Sequence, residues 1–236
     1  MSSIIFVRHA QASLFEDNYD QLSDRGLEQA RQLGKYFSQQ ALAFDEVYTG
    51  PCRRHQQTAS EVARHSTHPS PPAIEIAELD EHHLDQLATQ HVHKIAEQFP
   101  NIGELQIAFQ SADGRAERQK SFARLFEATA DLWVTSRCPL FGVESWPEFH
   151  QRVNDGISKI VGRAVRGKKI LVFTSAGVIA VALRRALGCP DDVALGLSWR
   201  TWNCSLTEFA FSQDRFSLDR FNALPHLDNR KNWTYR

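Results

Sequence analysis

The stretch Ile4-Ile5-Phe6-Val7-Arg8-His9-Ala10 decides how the rest of this 236-residue sequence is interpreted. Its first four residues form an unbroken apolar run, which is typical of a strand buried on both faces of an α/β sheet. The run ends abruptly at a guanidinium and an imidazole. This pair at a strand end predicts a chemical role, because the imidazole can attack a bound phosphoryl group whose oxygens the guanidinium binds.

The composition is that of an ordinary globular protein, with 42% hydrophobic and 23% charged residues, which excludes a disordered chain. The 27 Lys and Arg residues nearly balance the 28 Asp and Glu residues, and the formal net charge is -1. A chain with this balance has no overall basic field to attract nucleic acid or an anionic membrane. Any attraction for an anionic substrate must therefore come from a local group of cations.

The sequence predicts neither secretion nor membrane insertion. The apolar run of residues 4–7 is far shorter than a signal-peptide core, and no segment approaches the roughly 20 apolar residues that span a bilayer. The four cysteines are widely spaced and form no Cys-x-x-Cys pair. We therefore expect reduced thiols and a cytoplasmic protein.

Buried strands alternate with amphipathic helices along the chain, which is the pattern of an α/β fold. Further strands are predicted at 44–49, 73–77, 170–173, 205–211 and 216–221. Helices are predicted after Ser23, after Pro51, over 84–99, after Ser145 and over 178–187. We expect one domain over residues 1–236, a three-layer α/β/α sandwich with a mixed but mostly parallel sheet. The segment of about 101–144 lacks a clean period and is interpreted as a helical insertion or lid.

Three strand ends bring polar and charged side chains to one edge of the predicted sheet. They are Arg8-His9-Ala10-Gln11, residues 49–54 and Thr174-Ser175-Ala176-Gly177. The carboxyl ends of parallel strands are where α/β folds bind ligands, and helix N-termini there offer free N–H groups to anions. Two of the three segments carry guanidinium groups, which bind phosphate in a bidentate manner. A histidine between such cations is disfavoured in its protonated form and keeps a nitrogen available as a nucleophile.

Three motifs in this chain resemble those of the histidine phosphatase superfamily, also called the phosphoglycerate mutase-like family. The strand ending in Arg8-His9-Ala10 resembles its Arg-His-Gly signature, with Ala in place of Gly. Residues 22–30, Leu-Ser-Asp-Arg-Gly-Leu-Glu-Gln-Ala, resemble its helix-start motif. Residues 50–59, Gly-Pro-Cys-Arg-Arg-His-Gln-Gln-Thr-Ala, are similar to its Ser-Pro-x-x-Arg-x-x-Gln-Thr-Ala motif. The resemblance implies a phosphoglycerate mutase-like fold.

The resemblance also implies a role for each matching residue. His9 would be the nucleophile that becomes phosphohistidine, and Arg8 and Arg54 would bind the phosphoryl oxygens and stabilise the transition state. Glu81 ends a Leu-Asp-Glu sequence that matches the family's proton donor, and it would protonate the leaving oxygen and then activate water. No metal or organic cofactor is implied, because the arginines supply the positive charge.

Gln11 and Ser13 lie on the loop after His9 and would add neutral hydrogen-bond donors to the phosphate site. The histidines at 82, 83, 91 and 93 match no common zinc pattern, so no metal site is predicted. The expected partner is a small phosphorylated substrate or a phosphoprotein, with neither nucleic acid nor a membrane.

The sequence departs from the family at Ser175, where a second histidine is expected. A serine hydroxyl donates one neutral hydrogen bond, whereas a protonated histidine donates a charge-assisted one that is about twice as strong. Ser175 is predicted either to line the pocket as a donor or only to cap the following helix. The His82-His83 pair is a candidate substitute for the missing histidine. If the pocket is otherwise of the family type, Ser175→His is expected to raise turnover.

The function implied is a phosphatase that hydrolyses phosphomonoesters through phospho-His9. A phosphoglycerate mutase-type phosphoryl transfer is the first alternative. The second is a catalytically weakened phospho-ligand-binding or regulatory module, because Ser175 reduces the hydrogen bonding available to the transition state.

Overall fold

The computed structural model describes residues 1–13, 20–68 and 70–235. The chain divides into two compact units, an α/β unit formed by residues 1–81 and 152–236, and a helical unit formed by residues 82–151.

The α/β unit is built on a six-stranded sheet with the strand order β3-β2-β4-β1-β5-β6. The strands are β1 (Ser2–Arg8), β2 (Glu46–Thr49), β3 (Ile74–Glu75), β4 (Lys169–Thr174), β5 (Leu206–Ser212) and β6 (Arg215–Ala223). Strands β3, β2, β4 and β1 run parallel to one another, and β5 and β6 pair in antiparallel fashion beyond β1. The predicted mixed, mostly parallel sheet is therefore confirmed.

The helices described in residues 1–13, 20–68 and 70–235 flank this sheet or build the helical unit. They are α1 (Asp24–Gln39), α2 (Arg53–His65), α3 (Leu84–Thr89), α4 (Val92–Ala96), α5 (Pro100–Gln110), α6 (Gly114–Val134), α7 (Trp146–Arg163), α8 (Ala176–Leu187) and α9 (Asp191–Trp199). Single 3-10 turns lie at Ala77–Leu79 and Arg230–Asn232. None of the described helices is long and apolar enough to cross a membrane.

Alternate residues of β1 pack against helices on opposite faces of the sheet. On one face, Ile5 and Val7 join a buried cluster with the apolar sides of α1 and α2. On the other face, Phe6 meets Phe209 with ring centroids 5.7 Å apart. Phe209 stacks on Phe216, over which Arg185 of α8 lies. Helices therefore cover both faces, which accounts for the apolar character of the whole β1 run.

Two predicted helix starts are present with their capping bonds. Ser23 accepts a hydrogen bond from the Gly26 N–H at 3.1 Å and begins α1. Ser145 and Glu148 form a reciprocal capping box at the start of α7. These caps depend only on neighbouring residues, so the sequence pattern is sufficient to predict them.

Two helical segments differ from the prediction. The expected helix over 84–99 is divided into α3 and α4 at Gln90 and His91. Its apolar residues keep a helical spacing across the break, so the hydrophobic periodicity gives no sign that the helix is interrupted. The short helix α9 was not predicted at all. It begins after Pro190 and carries Asp191 and Asp192 in its first turn, where carboxylates favour the helix dipole.

The helical unit has an aromatic core of its own. Trp133 packs edge-on against Trp146 and lies near Phe149 and His82. The Trp133 indole N–H donates to the Glu144 carbonyl at 2.8 Å, which satisfies the one polar group of this buried ring.

Candidate active site

The three strand ends expected to hold the site are joined by backbone hydrogen bonds. The His9 N–H donates to the Thr174 carbonyl at 2.8 Å, and the Gly50 N–H donates to the Phe173 carbonyl at 3.0 Å. These bonds continue the β1–β4 and β2–β4 ladders by one step and place the turns after β1, β2 and β4 side by side. They form the carboxyl edge of the parallel sheet, where α/β folds bind ligands.

His9 is buried and held in one tautomer. Its Nδ1 lies 2.8 Å from the Ala10 carbonyl oxygen, and because a carbonyl only accepts, Nδ1 carries the hydrogen. The pKa of His9 lies well below its usual value because of burial first and then the charges of Arg54 and Arg8. The ring is therefore uncharged, and Nε2 keeps a lone pair for nucleophilic attack.

Arg54 is fixed at the start of α2 between two oxygen groups. Its Nη1 donates to the Asp20 carboxylate at 2.8 Å, and its Nη2 donates to Ser175 Oγ at 3.4 Å. Asp20 also accepts from the Arg53 backbone N–H at 2.8 Å, so it caps α2 from outside the helix. Asp20 belongs to no sequence motif, and only the tertiary structure shows that it orients Arg54.

Arg8 is also buried, and its Nη1 donates to the Thr201 carbonyl. The guanidinium is thereby held on the β5 side of His9, while Arg54 approaches from α2. The structure thus brings together the two cations that the sequence predicts beside His9.

Glu81 lies at the N-terminus of α8. Its Oε2 accepts from the Gly177 N–H at 3.3 Å, as expected for a carboxylate near the free N–H groups of a helix start. The neighbouring Asp80 instead accepts from the Glu81 N–H at 2.8 Å and from Cys52 Sγ at 3.0 Å. The two acidic residues have different contacts, and Glu81 is the one that lies at the turn between β4 and α8.

The side chain of Ser175 does not cap α8, and its role in the pocket remains a prediction. It is wholly buried at the start of α8, and its hydroxyl caps none of the described N–H groups. Its Oγ lies 2.6 Å from Nε2 of His55. His55 is also fully buried, and its ring centroid lies 5.7 Å from that of His9.

His55 lies close to His9 and Ser175 but was not among the residues predicted from the sequence. Burial and the charge of Arg54 hold its pKa well below the usual value, so it is uncharged. Its helical position next to Arg54 is the one signal that could have identified it. Of the suggested substitute pair His82-His83, His82 packs among the rings of Phe126, Trp133 and Phe149 within the helical unit. A role for this pair in place of the second histidine remains a prediction.

Gln11 and Ser13 are placed on the loop that follows His9. The Gln11 side-chain oxygen accepts from the Ser23 hydroxyl at 3.1 Å, which draws this side chain toward the start of α1. Ser13 is buried, and its N–H donates to the Gln21 carbonyl at 2.9 Å. Their role as phosphate donors remains a prediction.

The backbone of the His9 loop is supported by residues from β5 and beyond. Asn203 Nδ2 donates to the His9 carbonyl at 3.2 Å, and the Cys204 N–H donates to the Arg8 carbonyl at 3.0 Å. Thr234 in turn donates to the Asn203 side chain at 2.9 Å. These hydrogen bonds fix the backbone of Arg8 and His9, and with it the position of the His9 imidazole.

Arg8 and Arg54 supply the positive charge near His9. Within residues 1–13, 20–68 and 70–235, no group of three or more His, Cys, Asp or Glu side chains is placed to hold a metal ion.

Comparison with protein families gives one matching description, the histidine phosphatase superfamily (branch 1). The matched residues are 4–127 and 106–224, which cover most of the chain. Comparison with curated proteins gives no significant match.

Solved structures with the same fold cover nearly the whole chain at low identity. The alpha-ribazole phosphatase from Shigella flexneri is 19% identical, with a TM-score of 0.61 over 94% of this chain and 96% of its own. A phosphoserine phosphatase variant from Entamoeba histolytica in complex with phosphoserine is 17% identical, with a TM-score of 0.64 over 96% and 100%. The phosphoglycerate mutase from Bacillus anthracis str. Sterne is 16% identical, with a TM-score of 0.64 over 95% and 94%. These similarities establish the fold.

Proposed function

Because the chain belongs to the histidine phosphatase superfamily (branch 1), we propose that it hydrolyses phosphomonoesters through a phosphohistidine formed on His9. The observation that carries the proposal is the buried, uncharged His9, whose Nδ1 is held by the Ala10 carbonyl and whose pKa is lowered by burial and by the nearby charges of Arg54 and Arg8. A nucleophile flanked by fixed positive charge suits an anionic phosphoryl group better than a neutral acyl group.

In the first step, His9 Nε2 attacks phosphorus in line with the leaving oxygen. The Nε2–P bond forms as the P–O bond to the alcohol breaks, and protonated Glu81 transfers its proton to the leaving oxygen. The two guanidinium groups stabilise the charge on the equatorial oxygens. The hydrogen bond from Nδ1–H to the Ala10 carbonyl favours the positive charge that develops on the ring.

In the second step, water attacks the phosphorus from the face that the alcohol has left. Glu81, now a carboxylate, accepts a proton from this water while the Nε2–P bond breaks. Inorganic phosphate is released, and both His9 and Glu81 return to their starting protonation states. The chemistry balances without any further reactant.

The substrate class is a small phosphorylated molecule, with a phosphoprotein as the wider possibility. Similarity to a phosphoserine phosphatase and an alpha-ribazole phosphatase supports hydrolysis. Similarity to a phosphoglycerate mutase supports the alternative of phosphoryl transfer on a retained substrate. Release of inorganic phosphate distinguishes the two.

The first prediction concerns turnover by the wild type, His9→Ala and Glu81→Gln. We expect phosphate release from p-nitrophenyl phosphate by the wild type and none above background by His9→Ala. Glu81→Gln should lose on the order of 10²–10⁴-fold with an alkyl phosphate, and much less with p-nitrophenyl phosphate, whose leaving oxygen needs little protonation. Because His9 stays neutral below its usual pKa, kcat/KM of the wild type should persist below pH 6.5.

Mass spectrometry of the protein after alkaline quenching should locate the phosphoryl group on His9. Phosphate binding with turnover no greater than that of His9→Ala would contradict the hydrolase and favour the binding module. Conversion of a phosphoglycerate to its isomer without phosphate release would favour the mutase.

A further inference from the structure

A second imidazole lies inside the phosphoryl pocket, and the proposed chemistry gives it no role. His55 has no exposed surface, and its Nε2 lies 2.6 Å from Ser175 Oγ. Burying an imidazole costs free energy unless its polar atoms find partners. Among the described residues, Ser175 makes the close hydrogen-bond contact with this ring, at Nε2. Nδ1 lies beside the Gly50 backbone, which raises the pKa of His55 against the larger effects of burial and Arg54.

We propose that His55 is a positioning residue, which donates from Nε2 to Ser175 Oγ and thereby directs the Ser175 hydroxyl hydrogen to a bound phosphoryl oxygen. The inference rests on the proposed function, because it concerns the donors of the same phosphoryl site. Two residues from different elements would thus together provide one hydrogen bond to the phosphoryl group. They are His55 of α2 and Ser175 at the start of α8.

The direction of these hydrogen bonds follows from what each group can do. A hydroxyl oxygen has one hydrogen to donate and two lone pairs that accept. Arg54 can only donate, and its Nη2 lies 3.4 Å from Ser175 Oγ. A phosphoryl oxygen can only accept. If the hydroxyl hydrogen goes to the phosphoryl group, the remaining lone pair faces His55, whose Nε2 must then carry a hydrogen.

The uncharged state of His55 suits this task. A neutral imidazole keeps a hydrogen on one nitrogen only. The Gly50 backbone beside Nδ1 raises the pKa of His55, but Nδ1 makes no hydrogen bond of good geometry with the described residues, whereas Nε2 lies 2.6 Å from Ser175 Oγ. The short contact at Nε2 therefore favours the hydrogen on that nitrogen. A protonated ring would place a further positive charge beside Arg54 in a buried site. Burial and Arg54 both disfavour that form and lower the pKa.

Gly50 shows that the backbone is fitted to this imidazole. A Cβ at position 50 would lie 2.6 Å from His55 Nδ1 and 2.4 Å from the Leu79 carbonyl oxygen. A larger residue would displace either the ring or the loop that leads to Glu81. The absence of a side chain at position 50 therefore makes room for the ring that contacts Ser175.

The test compares His55→Phe, which keeps a planar ring without a donor, with His55→Gln, whose amide nitrogen replaces the Nε2–H. Removal of one preorganised donor lowers kcat on the order of 10²–10³-fold. His55→Phe leaves the Ser175 hydroxyl in place but undirected, so kcat should fall toward that range, with KM for p-nitrophenyl phosphate nearly unchanged. His55→Gln should keep most of the activity. Circular dichroism and thermal unfolding check that both variants fold.

Ser175→Ala provides the second arm. If His55 acts through Ser175, the double variant His55→Phe with Ser175→Ala should be no slower than Ser175→Ala alone. Multiplicative losses in the double variant, or wild-type kcat in His55→Phe, would overturn the inference while leaving the proposed function intact.

A measurement on the wild type decides the matter even if the variants fail to fold. Nitrogen-15 NMR of the phosphate-bound protein should show the His55 hydrogen on Nε2, and a hydrogen on Nδ1 would overturn the inference. Wild-type turnover equal to that of His9→Ala would overturn the proposed function instead, and the NMR result would still stand separately.

Discussion

The side chains at positions 55 and 175 occupy one buried volume at the carboxyl edge of the parallel strands. Both residues are without solvent exposure, and the Oγ of Ser175 already lies at hydrogen-bond distance from the imidazole of His55. Protein interiors are close-packed, so a second imidazole built on position 175 has no space while His55 is present. The serine at 175 is thus matched to the histidine at 55, and neither can be understood alone.

This pairing reverses the expectation for Ser175→His. The substitution should lower kcat by about tenfold or more and should reduce the free energy of unfolding by about 1–3 kcal/mol through overpacking. The exchange variant Ser175→His with His55→Ala should be more active than either single variant, because it returns one imidazole to the shared volume. Kinetics with p-nitrophenyl phosphate and urea unfolding measure both effects. An exchange variant slower than both single variants would contradict the shared-volume argument.

At the scale of elements, the start of α1 fixes the loop that follows His9. The Ser23 N–H donates to the Gln11 carbonyl at 2.9 Å, and a Cβ on Gly26 would lie 2.1 Å from that same carbonyl oxygen. Gln29 of α1 accepts from the Gln11 N–H at 2.9 Å. The first turns of α1 therefore act as a template for the backbone between His9 and Ser13.

We expect Gly26→Ala to displace this loop. The free energy of unfolding should fall by about 1–3 kcal/mol, and kcat/KM should fall more steeply than stability alone explains, because His9 moves with the loop. Gly196→Ala in α9 is the matched control, since no atom lies within 4 Å of a Cβ there, and it should stabilise by about 0.4–1 kcal/mol. Equal kinetics in the two alanine variants would show that α1 does not set the loop.

The elements also show which parts of the structure a sequence can predict. The apolar run of β1 and the caps at Ser23 and Ser145 are local patterns, and the structure contains them. His55 and Asp20 escaped prediction because their roles depend on contacts with residues distant in the sequence. For the same reason, the sequence could not decide whether Ser175 caps the following helix or lines the pocket, because these two roles differ only in the direction of its hydroxyl group.

At the scale of the α/β unit, three buried histidines make stability depend on pH. Burial lowers the pKa of His226 to about 3, and the pKa values of His9 and His55 are also well below their usual range. Both ring nitrogens of His226 are without a hydrogen-bond partner in the described part of the chain. Each ring resists protonation when folded and accepts a proton near its usual pKa when unfolded.

The free energy of unfolding should therefore fall as the pH drops below about 6.5. Below that pH the unfolded chain binds more protons than the folded one, and each histidine contributes about 1.4 kcal/mol per pH unit until its folded pKa is reached. His226→Leu should reduce this slope by the contribution of one histidine, about 1.4 kcal/mol per pH unit. Urea unfolding at several pH values between 7.5 and 5.5 measures the slopes, and an unchanged slope in His226→Leu would refute the assignment.

The place of β1 in the sheet has a consequence for the growing chain. Residues 2–8 leave the ribosome before every residue with which they pair, because β4 and β5 are encoded far downstream. Until residues 169–174 and 206–212 have been translated, the apolar strand β1 has neither of its neighbouring strands in the sheet. Pairing over such distances slows folding. His9 follows β1 directly, so the contacts that surround it can form only after residues 169–174 and 206–212 have joined the sheet.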